Sequence, residues 1–201
     1  MTLRIVIPVR PTTEAKSRLA GVLDPVVRAR LARAMFDHVL QVSQQFAPTL
    51  VVSRDADLLA LASQPVREEG LGLNPALEQV ATSLCDDSPL LTVSADLPLL
   101  GPDDLRAMVV LLDRADVIAA PDRAGTGTNA LLLARPGIIS YHFGEGSLAA
   151  HLMATESKGL RFATCERAGL ATDIDRPSDL RHLPREYDQM IAASYFGSVD
   201  N

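Results

Sequence analysis

Apolar positions fall in two rhythms along the chain. Short apolar runs at Ile5–Val9, Leu50–Ser53, Leu90–Val93, Val117–Ala120 and Asn129–Leu133 are bounded by turn-forming residues, the pattern of strands covered on both faces. Between the first two, Val27, Leu31, Met35, Val39, Val42 and Phe46 recur at spacings of four and three, which predicts an amphipathic helix with that stripe in the core. Weaker helical patterns cover about Asp55–Ser63, Pro75–Leu84, Pro102–Leu112 and Ser147–Ser157, and prolines suited to a first helical turn open the second and third. Strands alternating with helices predict an α/β fold, a mostly parallel central sheet with helices on both faces. Residues 1–184 read as one domain. In 185–201, Tyr187, Met190, Ile191, Tyr195 and Phe196 stand at helix-like spacing, so this segment is expected to pack on the domain or on a partner subunit, a homodimer.

Composition narrows the function classes. A chain of 201 residues with 47% hydrophobic residues buries a substantial core, and a formal charge of −6 disfavours a nucleic-acid or anionic-membrane surface. The partner expected is a small molecule. No apolar run approaches membrane-spanning length and the N-terminus starts like a strand, so a cytoplasmic protein is expected, with no membrane partner. Cys85 and Cys165 lack metal-ligand spacing and read as buried free thiols. His38, His142, His151 and His182 show no paired spacing and receive no metal role. Lys16 and Lys158 are the only lysines among nineteen basic side chains, which singles out position 16, inside a loop, as one that calls for a compact ammonium.

If the strands run parallel, the loops after them gather on one edge, where ligands bind in open α/β sheets. The run Pro89–Leu100 delivers Asp96 at a strand's carboxyl end before Pro98, either a metal ligand or a turn aspartate bonding its own backbone. The loop Pro8–Leu19 carries Arg10, Lys16 and Arg18, a density that suits a polyphosphate, although an exposed basic turn has the same look. It lacks the glycines of a P-loop or dinucleotide fingerprint. In Glu69–Leu77, two glycines let backbone approach a ligand, and Asn74 is either a hydrogen-bonding group for a base or a helix cap. Gly125-Thr126-Gly127-Thr128 offers an anion cradle or a tight hairpin turn. Gly144-Glu145-Gly146-Ser147 opens a predicted helix whose amides favour an anion, with Ser147 an alternative cap. Asp173 and Asp175, two apart on an extended segment, point the same way, so either can meet Asp96 across a divalent metal. No GxSxG elbow is present and neither cysteine has an obvious histidine partner, which disfavours a covalent hydrolase.

Taken in order, Ile7-Pro8-Val9-Arg10-Pro11 with Ala15-Lys16-Ser17-Arg18-Leu19, Gly72-Leu73-Asn74, Ala95-Asp96-Leu97-Pro98, Gly125-Thr126-Gly127-Thr128-Asn129-Ala130-Leu131, Gly144-Glu145-Gly146-Ser147 and Asp173-Ile174-Asp175-Arg176-Pro177-Ser178-Asp179-Leu180 resemble the 2-phospho-L-lactate guanylyltransferase family over residues 5 to 180. The resemblance implies a Rossmann-like nucleotidyltransferase fold of the nucleotide-diphospho-sugar transferase type, a three-layer sandwich. It also implies transfer of GMP from GTP to a small phosphorylated carboxylic acid, with release of pyrophosphate, in the biosynthesis of the deazaflavin coenzyme F-420. By motif, Lys16 and Asp96 would be catalytic. Pro8, Arg10, Lys16, Arg18, Gly72, Asn74 and Asp96 would bind the nucleotide, with Asn74 placing guanine. Asp96 and Asp175 would bind Mg2+, and Thr128, Asn129, Gly144, Gly146 and Ser147 would hold the acceptor's carboxylate and phosphate. Family acceptors are 2-phospho-L-lactate, phosphoenolpyruvate and 3-phospho-D-glycerate.

Arg10 stands where the family usually has lysine and keeps the charge, whereas Glu145 stands where proline is frequent, beside the acceptor site. That change and the arginine-rich composition tilt the reading toward 3-phospho-D-glycerate. The alternatives are another nucleotidyltransferase of the same fold, of the molybdopterin or sugar-phosphate type, and a non-catalytic nucleotide-binding regulator. The first typically has a glycine-rich first loop, absent here; against the second stand Lys16, Asp96 and Asp175 together.

Overall fold

The computed structural model describes residues 2–69, 72–84 and 86–195; Gly70 and Leu71 of the Glu69–Leu77 loop, Cys85 and Phe196 lie outside them. Strands β1 (Arg4–Pro8), β2 (Thr49–Ser53), β3 (Gln64–Arg67), β4 (Leu90–Val93), β5 (Val117–Pro121), β6 (Thr128–Leu133) and β7 (Phe162–Thr164) form one sheet in the order β3-β2-β1-β4-β6-β5-β7. The pairs β1/β2, β1/β4, β2/β3 and β5/β7 are parallel. Strand β6 runs antiparallel to both β4 and β5, so the sheet is mixed while remaining mostly parallel. The Gly125–Thr128 loop is therefore a hairpin connection, the plainer of its two readings. Because β6 is reversed, its first residues, Thr128 and Asn129, still come to the edge where β1, β2, β4 and β5 end.

Helices α1 (Pro25–Phe46), α2 (Ala56–Leu59), α4 (Pro102–Val110) and α6 (Ala168–Ala171) cover one face of the sheet, and α3 (Leu73–Ser83) and α5 (Ser147–Glu156) cover the other. Strand alternation feeds both layers: Ile5, Ile7, Leu91, Val93, Ala130 and Leu132 join the first core, and Val6, Leu90, Leu131 and Leu133 the second. Helix α1 starts where Asp24 accepts hydrogen bonds from the amides of Val26 and Val27 and Pro25 takes the first turn. Val27, Leu31, Met35 and Val39 are buried as the stripe requires; Val42 and Phe46 are half-buried, and Phe36 and Leu40 extend the buried face.

Two strands escape the sequence pattern. Strand β3 is short, mostly exposed and contains Pro65, tolerable because it lies on the sheet edge; the chain turns toward it after Leu59, so α2 is four residues long and not the nine of Asp55–Ser63. Strand β7 is a three-residue strand on the opposite edge. Helix α3 begins at Leu73, two residues before Pro75, after Gly72 at φ 91°, a left-handed conformation that glycine adopts without strain.

A third, smaller core ties the ends of the chain together. Leu19 and Leu23 from the first loop, Val27, Leu31 and Met35 from α1, Ile174 and Tyr187 are buried against one another, with Met190 and Ile191 of α7 (Asp188–Tyr195) packed on them. The described part of the segment after 184 thus packs on this domain through Tyr187, Met190 and Ile191. No helix among the described residues is long and apolar enough to cross a membrane.

Candidate functional site

A cavity of about 550 Å³ opens at the carboxyl ends of β1, β2 and β4, within the size range of small-molecule sites. Of the nucleotide and metal positions, Pro8, Arg10, Lys16, Arg18, Gly72, Asp96 and Asp175 line it. Lys16 sits in the left-handed region at φ 56°, the single non-glycine residue with positive φ among those described. Such backbone strain persists only where surrounding structure fixes it. Here Leu19, fully buried, anchors the following turn, and the Lys16 Nζ lies 2.5 Å from Asp96 Oδ2. The Lys16 side chain is 7% exposed and that of Asp96 28%, so the pair is largely sheltered. It uses one of three ammonium N–H groups and one of two carboxylate oxygens. Both partners keep capacity for a ligand.

Asp173 and Asp175 diverge in their surroundings. Ile174, fully buried in the third core, turns both aspartates to the other side of the segment. Asp175 pairs with the Arg18 guanidinium, and its backbone N–H donates to Asp179 Oδ2, whose other oxygen meets Arg123 at 2.5 Å. Among the described residues Asp173 makes no ion pair, though the Lys16 charge reaches it. Its carboxyl is pushed above the usual carboxylate range, first by burial and then by the Asp96 charge. Asp96 and Asp173 are therefore a like-charged pair that a divalent cation would relieve.

Asn129, a candidate acceptor contact, is buried and spends its amide N–H groups on the carbonyls of Leu170 and Ala171 and on Asp173 Oδ1, at 3.0, 3.3 and 3.2 Å. It holds Asp173. Asn74, a candidate base contact, neither lines the cavity nor caps α3. Its Nδ2 donates to the Phe143 carbonyl at 3.0 Å and its Oδ1 accepts from the Phe143 amide at 2.8 Å. That bridge fastens α3 to the Gly144–Ser147 loop and occupies both polar atoms of the Asn74 amide.

Thr128, Gly144, Gly146 and Ser147 lie outside the lining of this cavity. The Thr126 carbonyl accepts from the Leu148 amide at 3.1 Å, which joins the hairpin loop to the first turn of α5. Gly144 and Gly146 have φ of 134° and 69°. Among the described residues, the amides of Gly144, Glu145 and Gly146 donate to no backbone carbonyl, so they are open to an anion. Ser147 makes no side-chain cap.

His151, given no metal role from the sequence, holds a structural one. It is fully buried, its Nε2 accepts the His142 amide at 3.0 Å, and its Nδ1 lies 3.1 Å from Thr128 Oγ1. With Nε2 accepting, the ring proton sits on Nδ1 and is donated to Thr128, leaving the threonine hydroxyl proton for another acceptor. Burial, aided by His142, lowers the pKa of His151 to about 4, so the ring is neutral near pH 7. Neither the scatter of the four histidines nor any motif could signal this contact.

Residues 3–198 match the sequence model of the family described as "Guanylyl transferase CofC like". The chain belongs to that family. A phosphoenolpyruvate guanylyltransferase of Rubrobacter xylanophilus is 40% identical over 91% of this chain and 94% of its own length. A 2-phospho-L-lactate guanylyltransferase of Methanothermobacter thermautotrophicus is 36% identical over 89% and 82%. The structure of a putative nucleotide-diphospho-sugar transferase from Desulfovibrio desulfuricans G20 superposes with a TM-score of 0.73 at 18% identity, covering 96% of this chain and 99% of that one. The fold is that of the nucleotide-diphospho-sugar transferase type, and this member of the CofC-like family is a nucleotidyltransferase. Cys165 is buried with its thiol pKa raised by that burial, so it is not an activated nucleophile. Among the described residues, no group of three or more His, Cys, Asp and Glu side chains is placed to hold a metal. Mg2+ needs fewer protein ligands, because it usually keeps waters and binds one or two carboxylates plus substrate phosphates. Asp96 lines the cavity with Asp175, and its charge also bears on Asp173, so the residue types present suit such an ion.

Proposed function

We propose that this chain transfers GMP from GTP to a small acid bearing both a carboxylate and a phosphate, releasing pyrophosphate, as a step of coenzyme F-420 biosynthesis. The observation that carries the reading is the joining of Lys16 and Asp96 at 2.5 Å at the head of a nucleotide-sized cavity in a chain of the guanylyl transferase family. Phosphoenolpyruvate is the acceptor we place first, since the relative at 40% identity is named for it; 2-phospho-L-lactate follows. The tilt toward 3-phospho-D-glycerate rested on composition and on Glu145, and neither of these two names supports it.

In this reading, Lys16 and Arg10 hold the GTP phosphates in the cavity. Thr128 donates its free hydroxyl proton to the acceptor, and the open amides of Gly144 to Gly146 take its second anionic group. An acceptor phosphate oxygen then attacks the α-phosphorus and the bond to the α,β-bridging oxygen breaks. The electron pair leaves with pyrophosphate, whose growing charge Lys16 and Arg10 already face. Asp96 and Asp173 are the residues we assign to Mg2+, in place of the Asp96 and Asp175 expected from the motif; the ion supplies charge neutralisation at the phosphates. Asp175 instead steadies Arg18.

Pyrophosphate release from GTP with Mg2+, assayed with phosphoenolpyruvate, 2-phospho-L-lactate and 3-phospho-D-glycerate separately, tests the proposal. Turnover with one acid and loss of most of it in Asp96→Asn is expected. Absence of pyrophosphate with every acid would sink the reading.

A further inference from the structure

Four carboxylates line the cavity, and three have a close cation: Asp96 has Lys16 at 2.5 Å, Asp175 has Arg18, and Glu14 has Arg54 at 2.9 Å. Glu68 is the exception. Its side chain is 14% exposed, its nearest ion-pair contact is Arg54 Nε at 4.0 Å, and its carboxylate accepts no hydrogen bond among the described residues. Its carboxylate oxygens face the cavity with their acceptor capacity unspent by the protein, and a ligand there can supply the donors.

Its place in the fold says which part of a ligand. Glu68 follows β3, where its amide donates to the Ser53 carbonyl at 2.9 Å. In the sheet order, β3 is three strands from β4, which delivers Asp96, a separation of roughly 14 Å. Val52, Leu73 and Ala76 supply apolar lining to the cavity. A nucleoside triphosphate whose phosphates meet Lys16 therefore brings its base toward Glu68. A carboxylate is an acceptor only. Guanine presents two adjacent donors, N1–H and N2–H, whereas adenine and cytosine put a ring-nitrogen lone pair beside their amino group.

We infer that Glu68 is the specificity-determining residue for the nucleotide, accepting the N1–H and N2–H of guanine. This rests on the guanylyl transfer proposed above, and it fills the place that Asn74 vacates by bonding Phe143.

The test uses GTP, ATP and ITP, which keeps N1–H and lacks the N2 amine. kcat/KM for pyrophosphate release is measured for the wild type, Glu68→Gln and Asp57→Asn, an exposed carboxylate on α2. The wild type should prefer GTP to ITP at least tenfold. Glu68→Gln should lose at least tenfold with GTP, mostly in KM, and its GTP-to-ITP ratio should fall toward one; Asp57→Asn should keep both values. The nucleotide-induced rise in Tm gives the same comparison without turnover: larger for GTP than ITP in the wild type, equal in Glu68→Gln. Equal losses with GTP and ITP, or an unchanged ratio, would overturn the role of Glu68 while leaving GTP use intact. A wild type that uses ATP as well as GTP would overturn both the inference and the guanylyl reading.

Discussion

Acid should destabilise this protein before its carboxylates titrate, through His151. The ring is fully buried, faces His142 at 6.1 Å between ring centroids and the edge of Phe143 at 5.1 Å, and has a folded-state pKa of about 4 against 6.5 when free. Because the folded pKa is depressed, the unfolded chain takes up the proton first. The stability this neutral histidine contributes is complete above pH 6.5, declines as pH falls through that value and levels off near pH 4. At 1.36 kcal/mol per pH unit, the whole window is worth about 3 kcal/mol. Between pH 7 and pH 5 the loss is about 2 kcal/mol. Asp86 and Asp116 have pKa values lowered below 3.8 by Arg4 and Arg161 respectively, so their contributions fade only below that interval. Asp173 is raised and acts in the opposite sense. A variant control cancels all three. Urea unfolding at pH 7 and pH 5 should give a stability loss about 2 kcal/mol larger in the wild type than in His151→Gln, which offers the His142 amide an acceptor and has nothing to titrate. Equal losses in the two proteins would refute the neutral, buried assignment and with it the donated proton on Thr128.

Other outcomes follow from the site. Asp173→Asn should reduce turnover more than Asp175→Asn across a magnesium titration; the reverse order returns the second metal ligand to Asp175. Lys16→Ala should weaken GTP binding and slow transfer together, and Lys158→Ala, whose ammonium donates to the Ile138 carbonyl at 2.7 Å, should be nearly silent; kcat and KM for GTP check both. In Gly169→Ala, the new Cβ would stand 2.0 Å from Asp104 Oδ2 and 2.7 Å from the Leu99 carbonyl. Overpacking of this severity should cost about 3 kcal/mol, read as a Tm fall of roughly 6–12 °C, with activity lost because α6 carries the carbonyls that hold Asn129.

What the chain reveals before folding is its periodicity. The buried strands β1, β2, β4, β5 and β6 and the long α1 were legible because two-sided burial and a helical stripe each write a pattern in apolar positions. Strands β3 and β7 write none: they lie on the two edges, half-exposed, so no run of apolar residues marks them. The direction of β6 is likewise silent, since a strand covered on both faces has the same composition whichever way it runs.

The site divides along the same line. Arg10, Lys16, Asp96 and the Asp173–Asp175 segment could be picked out because ligand-facing charges at strand ends are rare enough to notice. Which carboxylate meets which cation could not, because partners such as Lys16 and Asp96 are eighty residues apart. Glu68 escaped for a local reason: the loop reading began at Glu69, and a Glu-Glu pair before a glycine looks like solvated surface until burial separates its members.

One small core explains why the two remote ends of the sequence make a single site. Leu19, three residues after Lys16, and Ile174, between Asp173 and Asp175, are both fully buried against α1 in the cluster that Tyr187 completes. The first loop and the aspartate segment are therefore anchored in one cluster, which Tyr187, Met190 and Ile191 complete. The strain at Lys16, costing on the order of 1–3 kcal/mol, is sustained by that shared anchor and by the Asp96 carboxylate. The ammonium is thus held in place before any ligand arrives, which is what electrostatic stabilisation of a leaving pyrophosphate requires under the function proposed above.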